Sequence, residues 1–219
     1  MAMTRITTIR EKITEDIFDY QQLMELLTDY SKPRDRISHL LKSGDIIRIR
    51  KGLYTFCDVL RRKPLSRELL ANLIYGPSYI TAEYALSYYK LIPERVVTVT
   101  SITTGRSCDF ETPYGNFSYR KVVESIYTAD VTLASTGTSS FLIASAEKAL
   151  IDKVWLDKNF AARNQTEIAD YLRGDLRLDF DQVNRFDTKR LTTIAELCVR
   201  QKITRLVNYL KKNMENNNE

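Results

Sequence analysis

Apolar residues return every three or four positions in two short runs near the start of the chain. Ile6, Ile9 and Ile13 form the first, with Arg10 stepping in the same register, and Tyr20, Leu23, Met24 and Leu27 form the second. Each run predicts a short amphipathic helix. Ser31-Lys32-Pro33 then starts a third, because proline at the first helical position lacks only an N–H that would go unbonded anyway. Ile37, Leu40 and Leu41 make the buried stripe of this helix, which runs to Lys42, and Ser43-Gly44-Asp45 ends it with glycine available for a left-handed cap. Directly afterwards, Ile46–Arg50 and Leu53–Phe56 are β-branched or aromatic runs on either side of Lys51-Gly52, the pattern of a tight hairpin.

Arg61-Arg62-Lys63-Pro64 is charged and ends in proline, as linkers do, and a fresh amphipathic pattern runs from Ser66 through Leu69, Leu70, Leu73 and Ile74. Beyond it the spacing predicts a helix over Thr81–Tyr89 and a buried strand over Arg95–Thr100. A hairpin follows over Cys108–Tyr119, turning at Pro113-Tyr114-Gly115-Asn116, with further strands over Tyr127–Leu133 and Ser140–Ile143. After Ser145 the pattern is wholly helical: Ala146–Leu156, then Gln165–Leu172 behind the capping box Asn164-x-x-Glu167, then two or three helices to Lys212. Asn213–Glu219 should fray. The chain therefore divides at the linker into residues 1–63 and 64–219, and its class is α+β. Three short helices followed by a hairpin is the order of a winged helix-turn-helix, here leading into a mixed α/β C-terminal domain that ends in several helices.

Composition changes this picture little: 43% hydrophobic and 28% charged residues with seven glycines and five prolines belong to a folded chain, not a disordered one. Charge changes it more. The net +5 is unevenly spread, for residues 32–63 carry ten basic against three acidic side chains while residues 1–31 carry three against six. Residues 64–186 hold thirteen against fifteen, and 187–219 hold seven against four. A basic segment coinciding with the third helix and hairpin points to a polyanionic partner. Cys57, Cys108 and Cys198 are odd in number and far apart, so neither a disulfide framework nor a zinc site is expected, and they read as reduced, partly buried thiols. The N-terminus has no apolar signal core and no run reaches membrane-spanning length, so the expected location is cytoplasmic, with no membrane association.

The candidate chemistry lies on the third helix. With Ile37, Leu40 and Leu41 turned inward, Asp35, Ser38, His39 and Lys42 face outward and Arg36 sits at the edge. Arg36, Ser38 and His39 can read base edges, Lys32 and Arg34 stand where phosphates pass a helix N-terminus, and Arg48, Arg50 and Lys51 lie in or beside the hairpin turn. A solvated helix face carries similar residues, but it needs no basic β-turn behind it. His39, the only histidine, fits a base contact and an idle surface position equally well.

Nucleophile elbows, phosphate-binding loops and metalloprotease motifs are missing, so no enzyme activity, catalytic residue, metal or cofactor is expected. The best remaining polar cluster is Ser145 to Lys153. It reads as a capped helix start with Lys148 and Asp152 paired on the surface, or as a partner surface of Glu147, Lys148 and Asp152. Tyr79, Tyr84, Tyr88 and Tyr89 crowd one predicted helix, which suits a small core or an interface. Arg190, Arg200, Lys202, Arg205, Lys211 and Lys212 extend a DNA footprint, meet an acidic protein, or simply snorkel over the surface.

Three segments carry a family resemblance: Arg36 to Tyr54, the stretch Tyr79-Ile-Thr-Ala-Glu-Tyr-Ala-Leu-Ser-Tyr-Tyr, and Ala144-Ser-Ala-Glu-Lys-Ala-Leu-Ile-Asp. In their order and spacing the chain resembles the AbiEi-family antitoxins and transcriptional regulators of type IV (AbiE) toxin-antitoxin abortive-infection systems. The resemblance implies an antitoxin of phage defence that represses its own operon through the winged helix and counters a nucleotidyltransferase-like toxin through the C-terminal domain. Its partners would be double-stranded operator DNA and that toxin, with direct contact and a homo-oligomer on DNA left open. The family's DNA-contacting elements map onto Lys32 to Lys42 and Arg48 to Lys51. The acidic helical lead-in is longer than a minimal winged helix needs. Two other readings stand beside this one: a stand-alone regulator sensing a small effector in a Tyr-lined pocket, and an enzyme working through Lys148, Glu147 and Asp152.

Overall fold

The apolar stripes at the start of the chain do form helices, but a strand separates them. The computed structural model describes residues 6–137 and 139–216. The first elements are α1 (Ile6–Lys12), β1 (Ile17–Asp19), α2 (Tyr20–Leu26), α3 (Pro33–Lys42), β2 (Ile46–Arg50) and β3 (Leu53–Phe56). Three strands form an antiparallel sheet in the order β1-β3-β2, so β3 is central and all four of its residues are buried. Ile9, Phe18, Leu23, Leu27, Leu40 and Phe56 build the core beneath it. Strand β1 was not expected. Three residues are too few for a period-two pattern to stand out, and Phe18 enters the core from a position that reads as interhelical.

The boundaries of α3 fall where the sequence puts them. Lys32 is the N-cap, Pro33 opens the helix, and Gly44 past its end adopts φ +75°. Ile37 and Leu40 are buried, with Leu41 partly so. Gly52 in the hairpin turn has φ +87°, a left-handed value open to glycine without strain.

Next come α4 (Arg67–Ile74), β4 (Ser78–Ile80), α5 (Ala82–Tyr88), β5 (Val99–Thr103), β6 (Cys108–Thr112), β7 (Gly115–Lys121), α6 (Glu124–Tyr127), β8 (Val131–Thr136) and β9 (Ser139–Ala144). Then follow α7 (Ala146–Leu156), α8 (Gln165–Asp170) running into a π-helical turn (Tyr171–Asp175), α9 (Phe180–Val183), α10 (Thr188–Cys198) and α11 (Gln201–Asn216). The class is α+β. The six strands form one mixed sheet in the order β6-β7-β5-β4-β9-β8, with β4 parallel to β9, β5 parallel to β7, and β8 antiparallel to β9. Helix α7 packs against α5, α10 and α11.

Several expected boundaries shift. Arg95–Val97 lie outside the sheet, with Val97 64% exposed, and the strand is instead Val99–Thr103. Tyr127 closes α6 and does not open a strand, and β4 falls where no strand was expected. The capping box at α8 is half-built: Asn164 accepts from the Glu167 N–H at 2.8 Å, but the Glu167 carboxylate takes the Arg163 N–H at 2.7 Å. Helix α11 runs to Asn216, so part of the Asn-rich end is helical; residues 217–219 of that expected fray, like the first five residues of the N-terminus, lie outside the described residues. The chain separates into two compact units, one reaching Leu70 and taking in Thr112–Tyr114, the other comprising Ala71–Glu111 and the chain from Gly115 on. The division falls inside α4, beyond the Arg61–Pro64 stretch. No helix among the described residues is long and apolar enough to cross a membrane.

Candidate nucleic-acid interface

In the first unit, α3 turns Lys32, Arg34, Asp35, Ser38, His39 and Lys42 to solvent while Ile37 and Leu40 hold it to the core. Arg36 is half-buried at the edge of that face, its Nη1 3.5 Å from His39 Nδ1. If Arg36 donates there, His39 carries its proton on Nε2 and offers that N–H outward. The Ser38 hydroxyl donates to the Arg34 carbonyl at 3.1 Å. Its lone pairs then face outward, so Ser38 is an acceptor suited to an amino group on cytosine or adenine.

Helix α3 packs on β2, the first strand of the hairpin. Between Arg48 and Arg50 the β2–β3 register slips, so Ile46 and Ile49 are both buried, three residues apart, and Arg48 and Arg50 are both exposed. Lys51 is exposed in the turn, where Arg50 Nη1 reaches its carbonyl at 3.5 Å. Arg48 stands opposite Tyr54; burial pushes the Tyr54 phenol up and Arg48 opposes it. The turn is tied down from the other side, since the Tyr20 N–H donates to the Gly52 carbonyl at 3.0 Å. All nine basic and polar residues expected at the interface thus lie on two packed elements, and eight of them are exposed.

The frame behind this surface was not legible as such. Arg10, 8% exposed, donates to the Leu60 carbonyl at 2.8 Å and the Ile13 carbonyl at 2.6 Å, pairs with Asp16 at 2.5 Å, and lies over the Phe56 ring at 4.5 Å. Burial draws this guanidinium below its ordinary value and Asp16 opposes the shift. Asp16 also accepts the N–H groups of Arg62 and Lys63, both at 3.0 Å. With Arg62 also donating to the Arg10 carbonyl and Arg61 to the Phe56 carbonyl, both at 3.4 Å, the supposed linker residues are clamped to α1 and β3. The signal was present in the sequence: Arg10 shares the register of Ile6, Ile9 and Ile13, and a cation in an apolar stripe needs a partner.

The polar cluster of the second unit is no surface. Glu147 is 6% exposed, and Lys148 and Asp152 are wholly buried. The Lys148 ammonium pairs with Asp152 Oδ1, while Oδ2 accepts from Tyr79 at 3.0 Å and Thr81 at 2.8 Å. Burial raises the Asp152 carboxyl above the usual range against the pull of Lys148, and it raises the Tyr79 phenol, with Asp152 adding to that rise. Glu147 accepts the Asp187 N–H at 3.0 Å, and Ser145 caps the helix by accepting the Lys148 N–H at 3.1 Å. The exposed pair and the partner surface of Glu147, Lys148 and Asp152 are both corrected by the packing of α5, α10 and α11 around α7. Lys148 and Asp152 present no surface to solvent.

Tyr79 is core, the Tyr89 hydroxyl donates to the Ala144 carbonyl at 2.9 Å, and Tyr88 meets Tyr89 and Phe141 edge-on. A cavity of about 650 Å³ is lined by the stacked pair Phe160 and Tyr171 with Asp157, Glu167, Asp170 and Asp175, and by none of the four tyrosines of the Tyr79–Tyr89 stretch. Its carboxylates make it a poor receptor for an anion. Cys57, Cys108 and Cys198 are free and at least partly buried; burial pushes Cys198 up to about 11. Among the described residues no group of three or more His, Cys, Asp or Glu is placed to hold a metal ion. The chain matches no protein-family model and no curated protein.

Proposed function

We propose that the first unit is a winged-helix DNA-binding domain and that the protein is a non-enzymatic repressor of its own operon. One observation carries this reading: α3, which turns a polar and basic face to solvent, packs on a hairpin whose exposed side chains are Arg48, Arg50 and Lys51. The order α1-β1-α2-α3-β2-β3, with a three-stranded sheet, supports it as a winged helix-turn-helix. In this mechanism α3 enters the major groove. Arg36, Ser38, His39 and Lys42 meet base edges, Lys32 and Arg34 meet phosphates at the helix N-terminus, and the hairpin grips the backbone. Within this reading, the resemblance of the Tyr79 and Ala144 segments to AbiEi-family proteins supports an antitoxin that counters a nucleotidyltransferase-like toxin. The cytoplasm is the compartment where both partners would be met.

The test is binding to upstream operator DNA, followed by fluorescence anisotropy across a salt series. Replacing Arg48, Arg50 and Lys51 together by Ala should weaken binding to every sequence and make the log–log salt slope shallower by about 3. Arg36→Ala should instead relax the choice at one base pair, by about 1–3 kcal/mol. An unchanged slope in the triple variant would remove the hairpin from the interface. Co-expression with a nucleotidyltransferase-like toxin encoded in the same operon should restore growth of cells that the toxin arrests, and failure to do so would leave a repressor that is not an antitoxin.

A further inference from the structure

Strand β8 ends the six-stranded sheet, and among the described residues nothing pairs with its outer side. Which backbone groups it leaves open follows from its partner. The Leu142 N–H donates to Asn72 Oδ1 at 2.6 Å and the Leu142 carbonyl accepts from Asn72 Nδ2 at 3.3 Å, so Leu142 turns both groups away from β8. Leu133, directly opposite Leu142, therefore forms a non-hydrogen-bonded pair with it and points its own N–H and C=O outward. By alternation Val131 and Ser135 do the same.

Exposed edges are normally blunted by charge, brevity or a break in register. The other edges of this protein obey that rule. Strand β6 carries Asp109 and Glu111, β1 has three residues ending in Asp19, and β2 carries Arg48 and Arg50 with its register slip. Strand β8 has none of these devices. It pairs with β9 without a break over six residues, and no charged side chain occurs from Val131 to Ala146. On one face of this ribbon Leu133 and Leu142 stand opposite each other, 67% and 39% exposed.

We propose that β8 is the homodimer interface, pairing antiparallel with β8 of a second copy about a two-fold axis at Leu133. In that register Leu133 faces its own counterpart and Val131 faces Ser135, so every outward N–H and C=O of the three residues finds a partner. The strand meets itself with no like charges opposed, and the two Leu133–Leu142 pairs join into one apolar strip. A charge-free strand with this self-complementarity fits a copy of itself better than a partner selected by charge. The interface stands independently of DNA binding.

Sedimentation velocity of the full chain tests it. The wild type should sediment as a dimer, and Leu133→Lys and Leu133→Pro as monomers with unchanged thermal unfolding. The proline removes only an outward N–H and leaves the β8–β9 ladder intact. A wild type that stays monomeric at about 100 µM would overturn the proposal and leave the edge to a strand of another protein, as would a dimer that survives both substitutions. Should a variant fail to fold, amide exchange of the wild type decides. Leu133 and Ser135 should be protected, and exchange at the rate of an open loop would count against the pairing.

Discussion

Lys148 is the residue at which pattern and packing part company. Read alone, Lys148 and Asp152 one turn apart make an ordinary surface pair. Yet Ala149, Leu150 and Ile151 are three consecutive buried residues, which no single-sided stripe produces, and such a run marks a helix covered on all sides. Inside, the pair is held by Tyr79 and Thr81, so removing one partner strands a charge. Lys148→Met should cost about 3–5 kcal/mol in denaturant unfolding. Its pH dependence has a definite sign. Burial already holds Asp152 above its unfolded value, and loss of Lys148 raises it further, so the folded state keeps a proton that the unfolded state gives up. Relative to wild type, the variant's loss of stability should be smallest below about pH 4 and grow as pH rises through the raised folded value. Adding Asp152→Leu should flatten that dependence but recover only part of the stability, because the Tyr79 and Thr81 hydroxyls lose their acceptor. A deficit against wild type that shrinks as pH rises would contradict the pairing.

At the scale of elements, legibility followed length and punctuation. The bounds of helix α3 are legible because Pro33 and Gly44 act through local backbone chemistry. Helix α7 was bounded to the residue for a similar reason, the Ser145 cap. Strands β1 and β4, three residues each, fell below what alternation can register. Arg95–Thr100 misled because β-branched residues mark a chain that fits a pleated, half-buried surface, and only hydrogen bonding decides which stretch gets one. The hairpin turn offers a clean test of local control. Nothing lies within 4 Å of the place a Gly52 side chain would occupy, so Gly52→Ala meets only the cost of φ +87°. That cost should be roughly 1–2 kcal/mol in thermal unfolding, and Gly52→Asn should cost less. Equal stability of all three would mean that the turn adopts another backbone.

For the whole molecule, the decisive features are the basic segment at residues 32–63 and the open edge at β8, which belong to different units. The first was visible in the charge count, while the second needed the strand order, since an uncharged stretch shows nothing until it is known to lie outermost. Together they make a joint expectation. A dimer carries two α3 helices, and linking two weak reading heads turns the second contact into an intramolecular one, worth about 100-fold or more when both half-sites are in reach. Wild-type protein should therefore bind DNA with two inverted half-sites far more tightly than DNA with one, whereas Leu133→Lys should bind both alike and match the wild type on the single site. The Arg48, Arg50 and Lys51 triple variant should do the converse, staying dimeric but losing affinity for either DNA. If Leu133→Lys kept the full two-site preference, the copies would be held together elsewhere, and if it lost the single site too, the edge would be acting on the fold and not on assembly.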